Sequence, residues 1–325
     1  MLSRVAESIY WMSRYIERAE NMARIVDVNE HLMLDLPPGL PAQWAPLVAI
    51  TGDEAAFKKR YSDADQDEVS WFLTFDAANP NSILSSLRAA RENARSIREI
   101  LSSAIWAEIN EAYHYVEHLA QTRAAPHHAF LRNVIRASHS VEGATTATLS
   151  HAEAYHFSRI GRLTERADQT TRFVDIRYFM LLPSPDEVGS PTDDLHWTAV
   201  LQSASALEMY RQRHGMVQMQ ATVEFLLVDP DFPRSVRNCV SRANESLHAI
   251  TGTRSGTYRN AAERRLGKLA AELDYTSIEE VIIEGLHEFL DSIQAKLNEC
   301  GTALRESFFA PQLTTRANAA RIAIE

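Results

Sequence analysis

Apolar residues recur every three or four positions along most of the chain, which is the spacing of helices that bury at least one face. The longest runs predict helices at about 2–35 and 151–181, each followed by a proline-bearing loop at 36–41 and 182–191. No stretch alternates apolar and polar residues as a half-buried strand does. Further helices are predicted at 42–50, 53–61, 66–76, 82–103, 105–123, 128–149, 194–214, 216–228, 234–250, 258–273 and 277–307. The pattern therefore predicts an all-α protein, a helical bundle with a loosely held tail at 311–325.

The first long helix has a second copy 148 residues later in the chain. Residues 13–27 read SRYIERAENMARIVD, and the matching residues 161–175 read GRLTERADQTTRFVD. The charged residues that match at this shift are Arg14 and Arg162, Glu17 and Glu165, Arg18 and Arg166, Arg24 and Arg172, and Asp27 and Asp175. Self-similarity at a fixed shift is the signature of a repeated structural unit.

The segments that follow the two loops also match, now at a shift of 153. WFLTFDAANPNSI at 71–83 aligns with EFLLVDPDFPRSV at 224–236 without a gap. Pro80 and Ser82 recur as Pro233 and Ser235, which resembles a helix start in both copies. We therefore predict two copies of one helical unit, 1–150 and 151–310, packed as one bundle and followed by the tail.

The charged residues of the first long helix interrupt an otherwise apolar line. Arg14, Glu17, Arg18 and Asn21 form one i, i+3, i+4, i+7 stripe, while most of the remaining circumference is apolar. A helix that is apolar nearly all round is normally buried, so these charges would need partners. The alternative is a set of solvated surface pairs. The recurrence of the charges favours a partly buried network, to which Arg24 and, in the second copy, Arg162, Glu165, Arg166, Asp168 and Arg172 would also belong.

A third polar cluster lies at 90–99, ARENARSIRE, where Arg91 and Arg95 share one helical side with Asn93 nearby. Its counterpart near 240–250 has far fewer arginines. Arginines in this arrangement can receive carboxylates from the long motif helices as bidentate pairs. They can equally bind a phosphate or a substrate carboxylate, and the sequence leaves both interpretations open.

Composition restricts the class of protein. The 325 residues are 45% hydrophobic and carry a formal net charge of −10, so the basic footprint of a nucleic-acid binder is missing. The two cysteines, Cys239 and Cys300, fit neither a metal-binding spacing nor a disulfide framework, which predicts a cytoplasmic location. No run of apolar residues is long enough to predict a membrane span.

The known catalytic motifs are not found. The sequence has no glycine-rich phosphate loop, GxSxG elbow, HExxH or CxxC, and we predict no cofactor and no metal. A di-metal bundle would use pairs with the Glu-x-x-His spacing. Four such pairs occur, but the partner glutamates have no clear placement: Glu111 and His114, Glu153 and His156, Glu245 and His248, and Glu284 and His287.

The recurring Glu-Arg pair makes the sequence resemble the alpha-E family, named for its α-helices and a recurrent ER motif. The segments that carry the resemblance span essentially the whole chain: SIYWMSRYIERAENMARIVDVN, NPNSILSSLRAARENARSIRE, GRLTERADQTTRFVDIRYF and FPRSV. The resemblance implies an all-helical bacterial protein and a set of signature residues without assigned roles. These are Arg14, Glu17, Arg18, Asn21, Arg91, Asn93 and Arg95, with Arg162, Glu165, Arg166, Asp168 and Arg172 in the second copy.

Members of that family accompany a circularly permuted ATP-grasp ligase-like protein and a transglutaminase-like cysteine peptidase, and some are fused to the ligase-like part. The resemblance therefore implies a role in making or processing a peptide or amide product. Our leading hypothesis is a non-catalytic helical partner whose Arg/Glu network joins the two units or binds an anionic ligand such as a peptide or nucleotide. The alternatives are an enzyme that uses this network on a carboxylate or phosphoryl substrate and, more weakly, a di-metal carboxylate bundle.

Overall fold

The computed structural model describes residues 1–35, 44–122, 127–175 and 191–310. Within these ranges the regular structure is helical and includes no strand, so the predicted all-α class is confirmed. The predicted loop at 36–41, the predicted loop at 182–191 apart from Pro191, the end of the second long helix after 175, and the tail at 311–325 lie outside the described residues.

The helices follow one another with short connections. Their bounds are α1 Ser3–Asp35, α2 Ala45–Thr51, α3 Glu54–Lys58, α4 Gln66–Thr74, α5 Ile83–Ser96, α6 Ser103–Thr122, α7 His128–Thr148, α8 Glu153–Asp175, α9 Pro191–Ser203, α10 Leu207–His214, α11 Met219–Leu227, α12 Val236–Thr251, α13 Ala261–Asp274, α14 Ile278–Glu284 and α15 Leu286–Leu304. A π-helical turn, Arg305–Phe309, continues α15.

Two predicted helices are each divided in the structure. The predicted helix 194–214 becomes α9 and α10, because Ser205 between them has a φ of 50°. The hydroxyl of Ser205 accepts a hydrogen bond from Arg24 of α1, a tertiary contact that helical periodicity does not reveal. The predicted helix 277–307 becomes α14 and α15 at Gly285, whose φ of 129° is open to glycine and strained for other residues.

The predicted helix 82–103 was too long, since α5 ends at Ser96. The residue after it, Ile97, is buried in the core and leads into a turn. The hydroxyl of Ser102 then accepts a hydrogen bond from the backbone N–H of Ile105, which caps the first turn of α6.

The predicted helix starts after the two prolines are confirmed. Ser82 caps α5 by accepting a hydrogen bond from the backbone N–H of Ser85, and Ser235 caps α12 by accepting one from Asn238. Each serine hydroxyl satisfies a backbone donor that would otherwise lack an intrahelical partner. The capped starts fix the residues immediately before them, Asn81 and Arg234, against the two long helices.

Helix α1 lies at the centre of the fold, where it packs against α8, α5, α7 and α9. Helices α1 and α8 run in the same direction, since the terminal amine of Met1 contacts Glu153 and Arg18 contacts Glu165. Helix α12 covers the other side of α8 and packs in turn on α13. The two helices that carry the ER pairs therefore meet in the interior. No helix in the described ranges is long and apolar enough to cross a membrane.

Candidate functional site

Two ion pairs link α1 to α8 reciprocally. Glu165 of α8 accepts hydrogen bonds from Arg18 of α1, with Nε at 2.6 Å from Oε1 and Nη2 at 3.1 Å from Oε2. Glu17 of α1 accepts from Arg166 of α8, with Nε at 2.9 Å from Oε1 and Nη2 at 2.7 Å from Oε2. Each pair is bidentate, the strongest geometry for a guanidinium and a carboxylate. Each helix therefore gives one Glu and one Arg of its ER motif to the other helix.

These pairs are inside the protein. The side chains of Glu17 and Glu165 are each only 1% exposed, while those of Arg166 and Arg18 are 8% and 19% exposed. The run of charges at 13–27 is therefore no solvated face, and the geometry agrees with the interpretation as an interior network. Breaking one partner away from such a pair leaves an uncompensated buried charge.

Burial and the guanidinium groups act in opposite directions on the two glutamates. Burial alone would raise the pKa of Glu165, but the facing Arg18 and Arg14 outweigh it and hold that pKa at about 2. The pKa of Glu17 is also lowered, because Arg166 and Arg234 outweigh its burial. Both carboxylates therefore stay ionised well below neutral pH.

The first half of the network centres on Glu17 and receives a guanidinium from outside the motif helices. Arg234, just before α12, donates from Nη1 to Glu17 Oε1 and to Asn21 Oδ1, both at 3.0 Å. Its Nη2 also contacts Glu20 of α1. Glu20 in turn accepts from Arg24 Nε at 2.9 Å and Nη2 at 2.7 Å.

The edges of this half involve α7. Ser138 donates a hydrogen bond to Glu20 at 2.6 Å, and His139 also lies against that carboxylate. Glu142, which also lies on α7, contacts both Arg162 and Arg166 of α8. The pKa of Glu20 is held well below its usual range, because Arg234, His139 and Arg24 together outweigh the effect of its burial.

The second half of the network centres on Glu165 in the same manner. Arg14 donates from Nε to Glu165 Oε2 at 2.7 Å, next to the contacts from Arg18. Arg172 donates from Nε to Asp168 Oδ2 at 2.8 Å, which repeats the Arg24–Glu20 contact of α1. In the place that corresponds to Arg234 stands a neutral residue, Asn81, whose Oδ1 accepts from Arg18 Nη1 at 2.9 Å.

Positions that match in the two predicted units make matching contacts elsewhere as well. Arg60 pairs with Asp76, and Arg213, 153 residues on, pairs with Asp229. Asp27 and Asp175, 148 residues apart, each contact a histidine, His128 and His287 respectively. These contacts agree with the sequence alignment, while the duplication itself stays a prediction, as do the unit boundaries.

The cluster at 90–99 lies elsewhere. Arg91 donates from Nε to Asn110 of α6 at 2.7 Å and lies over the rings of α6 aromatic residues. Arg95 pairs with its helix neighbour Glu92, and the side chain of Asn93 bonds the carbonyl of Ala89 on its own helix. The possibility that these arginines receive carboxylates from the motif helices is therefore not realised, because the face of α5 that carries them turns towards α6 and solvent.

Sequence reasoning missed several members of the network, among them Glu20, Arg234 and Asn81. Glu20 lies one residue before Asn21 in the motif but outside the stripe that Arg14, Glu17, Arg18 and Asn21 form. Arg234 and Asn81 lie in segments that align at the shift of 153, and both follow a proline. The signal that was available is that these two aligned positions hold a cationic residue in one copy and an amide in the other.

A polar cleft opens beside the second half of the network. Its volume is about 180 Å³, and the residues lining it are Arg14, Arg18, Met22, Thr51, Asn81, Glu165, Asp168, Gln169, Arg172 and Asn298. Most of the lining residues belong to helices α1 and α8, and the exposed Asn298 of α15 also contributes. Among the sequence-predicted residues, the structure thus brings Arg14, Arg18, Glu165, Asp168 and Arg172 to one opening.

Two groups of side chains within the described residues could hold a metal ion. Asp27, His31 and His128 form one, and Asp175, His287 and Asp291 form the other. Neither group brings together two of the four Glu-x-x-His pairs, which are distributed over separate helices. The geometry described for this part of the chain thus offers the di-metal alternative no assembled ligand set.

Comparison with known proteins gives one family. Residues 1–309 match the model of the Alpha-E family, described as a predicted alpha-helical domain with a conserved ER motif. An uncharacterized protein of Mycobacterium bovis and one of Mycobacterium tuberculosis are each 27% identical to the chain over 333 aligned positions. The alignment covers 93% of this chain but 36% of each relative, so the chain spans about a third of their length. No solved structure matches the chain.

Proposed function

The chain belongs to the Alpha-E family, and from this we propose that it is a non-catalytic helical partner of an ATP-grasp-type peptide or amide ligase system. In this proposal the Arg/Glu network is the internal joint that holds α1 and α8 in a fixed arrangement. The surface around that joint would then be presented to the ligase-like protein and to the transglutaminase-like peptidase. We also propose that it acts in the cytoplasm, where its two free cysteines would remain reduced.

The observation that carries this proposal is the reciprocal pairing of Glu17 with Arg166 and of Glu165 with Arg18. A general acid or base works best when its pKa lies near the working pH. The pKa of Glu165 is held at about 2, and that of Glu17 is also lowered, so neither carboxylate is suited to carry protons at neutral pH. The signature residues of the motif are therefore better explained as a joint than as an acid–base pair.

The thiol groups support a non-catalytic role as well. Cys239 and Cys300 are both buried, and burial raises the pKa of each thiol to about 12. The reactive form of cysteine is the thiolate, and such pKa values leave almost none of it at neutral pH. Neither thiol is therefore available as a nucleophile.

The length of the relatives supports a partner role. The mycobacterial proteins match this chain over only 36% of their length, so in them the matching part is joined to further chain. Some members of the family are fused to a ligase-like part. We therefore propose that the additional chain of the mycobacterial proteins supplies the chemistry.

The proposal is tested by mixing the purified chain with the circularly permuted ATP-grasp ligase-like protein from the same organism. We expect a defined complex in size-exclusion chromatography with light scattering, and a changed rate of ATP turnover by the ligase-like protein. An unrelated helical protein of similar size and net charge serves as the control. The proposal fails if the two proteins do not associate at high micromolar concentration and the ATP turnover is unchanged.

A second candidate function, an enzyme acting on a carboxylate or phosphoryl substrate, is favoured by the polar cleft between α1 and α8. The variants Arg18→Ala and Arg166→Ala separate the two proposals. A joint predicts that both variants lose stability, whereas a catalytic site predicts that Arg18→Ala, which lines the cleft, stays folded and loses activity. Circular dichroism and thermal unfolding show whether each variant stays folded. Ligand identification by mass spectrometry after a pull-down shows whether a substrate is bound.

A further inference from the structure

We propose that the polar cleft between α1 and α8 binds the guanidinium group of a ligand, in the position that Arg234 occupies in the other half of the network. This goes beyond the proposed partner role and does not depend on it. It rests on a comparison of two receptor sites inside one molecule, one occupied by a residue of the chain and one open.

In the occupied site, the guanidinium of Arg234 is received by three side chains of α1. Its Nη1 donates to Glu17 and to Asn21, both at 3.0 Å, and its Nη2 contacts Glu20. Arg234 itself is buried, at 6% exposure. The site is therefore a built receptor for a guanidinium, made from two carboxylates and one amide oxygen.

The open site has the matching residues on α8, of which Glu165 is already paired with Arg14 and Arg18. At the shift of 148, Glu17, Glu20 and Asn21 correspond to Glu165, Asp168 and Gln169, and all three of the latter line the cleft. At the shift of 153, Arg234 corresponds to Asn81, which lines the same cleft. An asparagine side chain is too short to reach these groups, so a volume of about 180 Å³ remains where the guanidinium would lie. At roughly 30 Å³ for each water, that space is enough for about six waters or for a guanidinium with part of its aliphatic stem.

The two halves contain equal numbers of carboxylates and arginines when Arg234 is left out of the count. Each half then has three carboxylates and three arginines. One carboxylate of the second half is Asp53, which accepts hydrogen bonds of 2.9 and 3.1 Å from the side chain of Asn81. The first half contains Glu17, Glu20, Glu142, Arg24, Arg162 and Arg166, and the second contains Asp53, Glu165, Asp168, Arg14, Arg18 and Arg172. The halves differ at the central carboxylate, since Glu165 already receives Arg14 as well as Arg18, so a further guanidinium in the second half would be received by Asp168 and Gln169.

The hydrogen bonds around the cleft favour a donor ligand over an anion. Each guanidinium nitrogen of Arg14, Arg18 and Arg172 already donates to an oxygen atom of the protein. Acceptors remain, since within the described part of the chain Asp168 Oδ1 receives a single hydrogen bond, from Arg172 at 3.5 Å. The side chain of Gln169 makes no hydrogen bond among the described residues, which leaves its amide oxygen to accept one.

The direct test is calorimetric titration of the chain with n-butylguanidinium, using n-butylurea as the uncharged analogue of nearly the same shape. We expect the guanidinium compound to bind and the urea to bind about tenfold more weakly or worse, since a hydrogen bond to a charged group is lost. An acetylated arginine tripeptide amide forms a second arm, which shows whether the source is a peptide side chain or a small molecule. Equal binding of the urea, or binding of acetate or phosphate in place of the cation, would overturn the proposal.

Two variants make the test specific to the cleft. Asn81→Arg supplies the missing guanidinium from within the chain, so it is expected to abolish binding of n-butylguanidinium and to raise the unfolding temperature. Arg234→Asn opens the matching site in the first half, so its lowered unfolding temperature is expected to rise with added n-butylguanidinium more than that of the wild-type chain does. Should Arg234→Asn fail to fold, the wild-type titration and Asn81→Arg still decide. Unchanged binding by Asn81→Arg contradicts the assignment.

Discussion

Gly161 of α8 lies directly against the backbone of Tyr10 in α1, so that a Cβ at position 161 would be only 2.2 Å from the Tyr10 carbonyl oxygen. Real Cβ atoms do not approach backbone oxygen so closely, and the obstacle is main chain, which no rotamer change can move. The two helices therefore approach one another as closely as a glycine permits. Close approach at this point allows the hydroxyls of Ser13 and Ser158 to hydrogen-bond at 2.8 Å and places the charged residues of the next turn within reach.

Gly161→Ala is expected to destabilise the protein because α8 would have to shift away from α1. Overpacking of an interior contact costs about 1–3 kcal/mol, and we expect a loss at the upper end of this range, since backbone must move. The free energy of unfolding from urea titration measures the effect.

The matched control is Gly143→Ala in α7, where a Cβ meets no atom within 4 Å. That change removes a flexible residue from an exposed helix and is expected to stabilise by about 0.5–1 kcal/mol. If both glycine variants change stability in the same direction, the close approach of α1 and α8 is not what requires glycine at position 161.

Removing one partner of a reciprocal pair is expected to be costly. Glu165→Gln leaves Arg14 and Arg18 without their counter-charge in the interior, and such changes cost about 3–5 kcal/mol. A double-mutant cycle with Arg18→Met isolates the energy of the Arg18–Glu165 contact from the rest of the network.

The control for that cycle is Arg242→Ala, which removes a half-exposed pair with Glu245 on α12. Surface pairs contribute about 0.2–1 kcal/mol at most, so little change is expected there. A loss no larger for Glu165→Gln than for Arg242→Ala would show that the network is not a structural joint.

Stability is expected to fall in acid through Glu165. Its pKa is about 2 in the folded protein and 4.5 ordinarily, so its contribution is complete above about pH 4.5 and is lost as the pH falls towards 2. A shift of this size corresponds to about 3 kcal/mol. Glu17 and Glu20 have lowered pKa values too, and they act with the same sign.

Urea unfolding at pH 7, 5, 4 and 3 checks this expectation when the wild-type chain is compared with Glu165→Gln. The difference in free energy of unfolding between them should shrink as the pH falls below about 4.5, because the glutamate of the unfolded chain then takes up a proton while that of the folded protein stays ionised down to about pH 2. A difference that stays constant down to pH 3 would mean that the charge of Glu165 does not stabilise the fold.

The two cysteines provide a probe of global unfolding. Cys239 and Cys300 are buried and the pKa of each thiol is raised to about 12, so neither should react with a thiol-specific disulfide reagent at pH 8 in the folded protein. Both should react rapidly in denaturant. Fast labelling of the native protein at either position would show that the helices around it open locally.

The spacing of apolar residues was sufficient to predict the all-α class and most helices, because burying a helix face requires apolar positions at intervals of three and four. Ser82 and Ser235 were identifiable as helix starts, since a serine side chain caps a helix through local contacts alone. The charges of the ER motif were placed in an interior network by the same argument, as they interrupt an apolar face.

What the sequence did not reveal depended on contacts between distant segments. Ser205 divides a predicted helix where Arg24 of another helix reaches it, and no local glycine or proline announces this break. The arginines at 91 and 95 have the same spacing as a binding stripe, and only the packing of α5 decides that they face α6 and solvent.

By itself, then, the sequence determined the helices, their capped starts and the residues whose charges had to be paired in the interior, because these follow from periodicity and from the cost of burying a charge. The tertiary structure alone decided the partners. Glu17 pairs with Arg166 and Glu165 with Arg18 because α1 and α8 cross at Gly161. Arg234 contacts Glu17 and Glu20 in one half of the network, and Asn81 stands in the corresponding place of the other half. Periodicity does not reveal these partners, because a charge on a helix can be paired by any segment that the packing brings within about 4 Å.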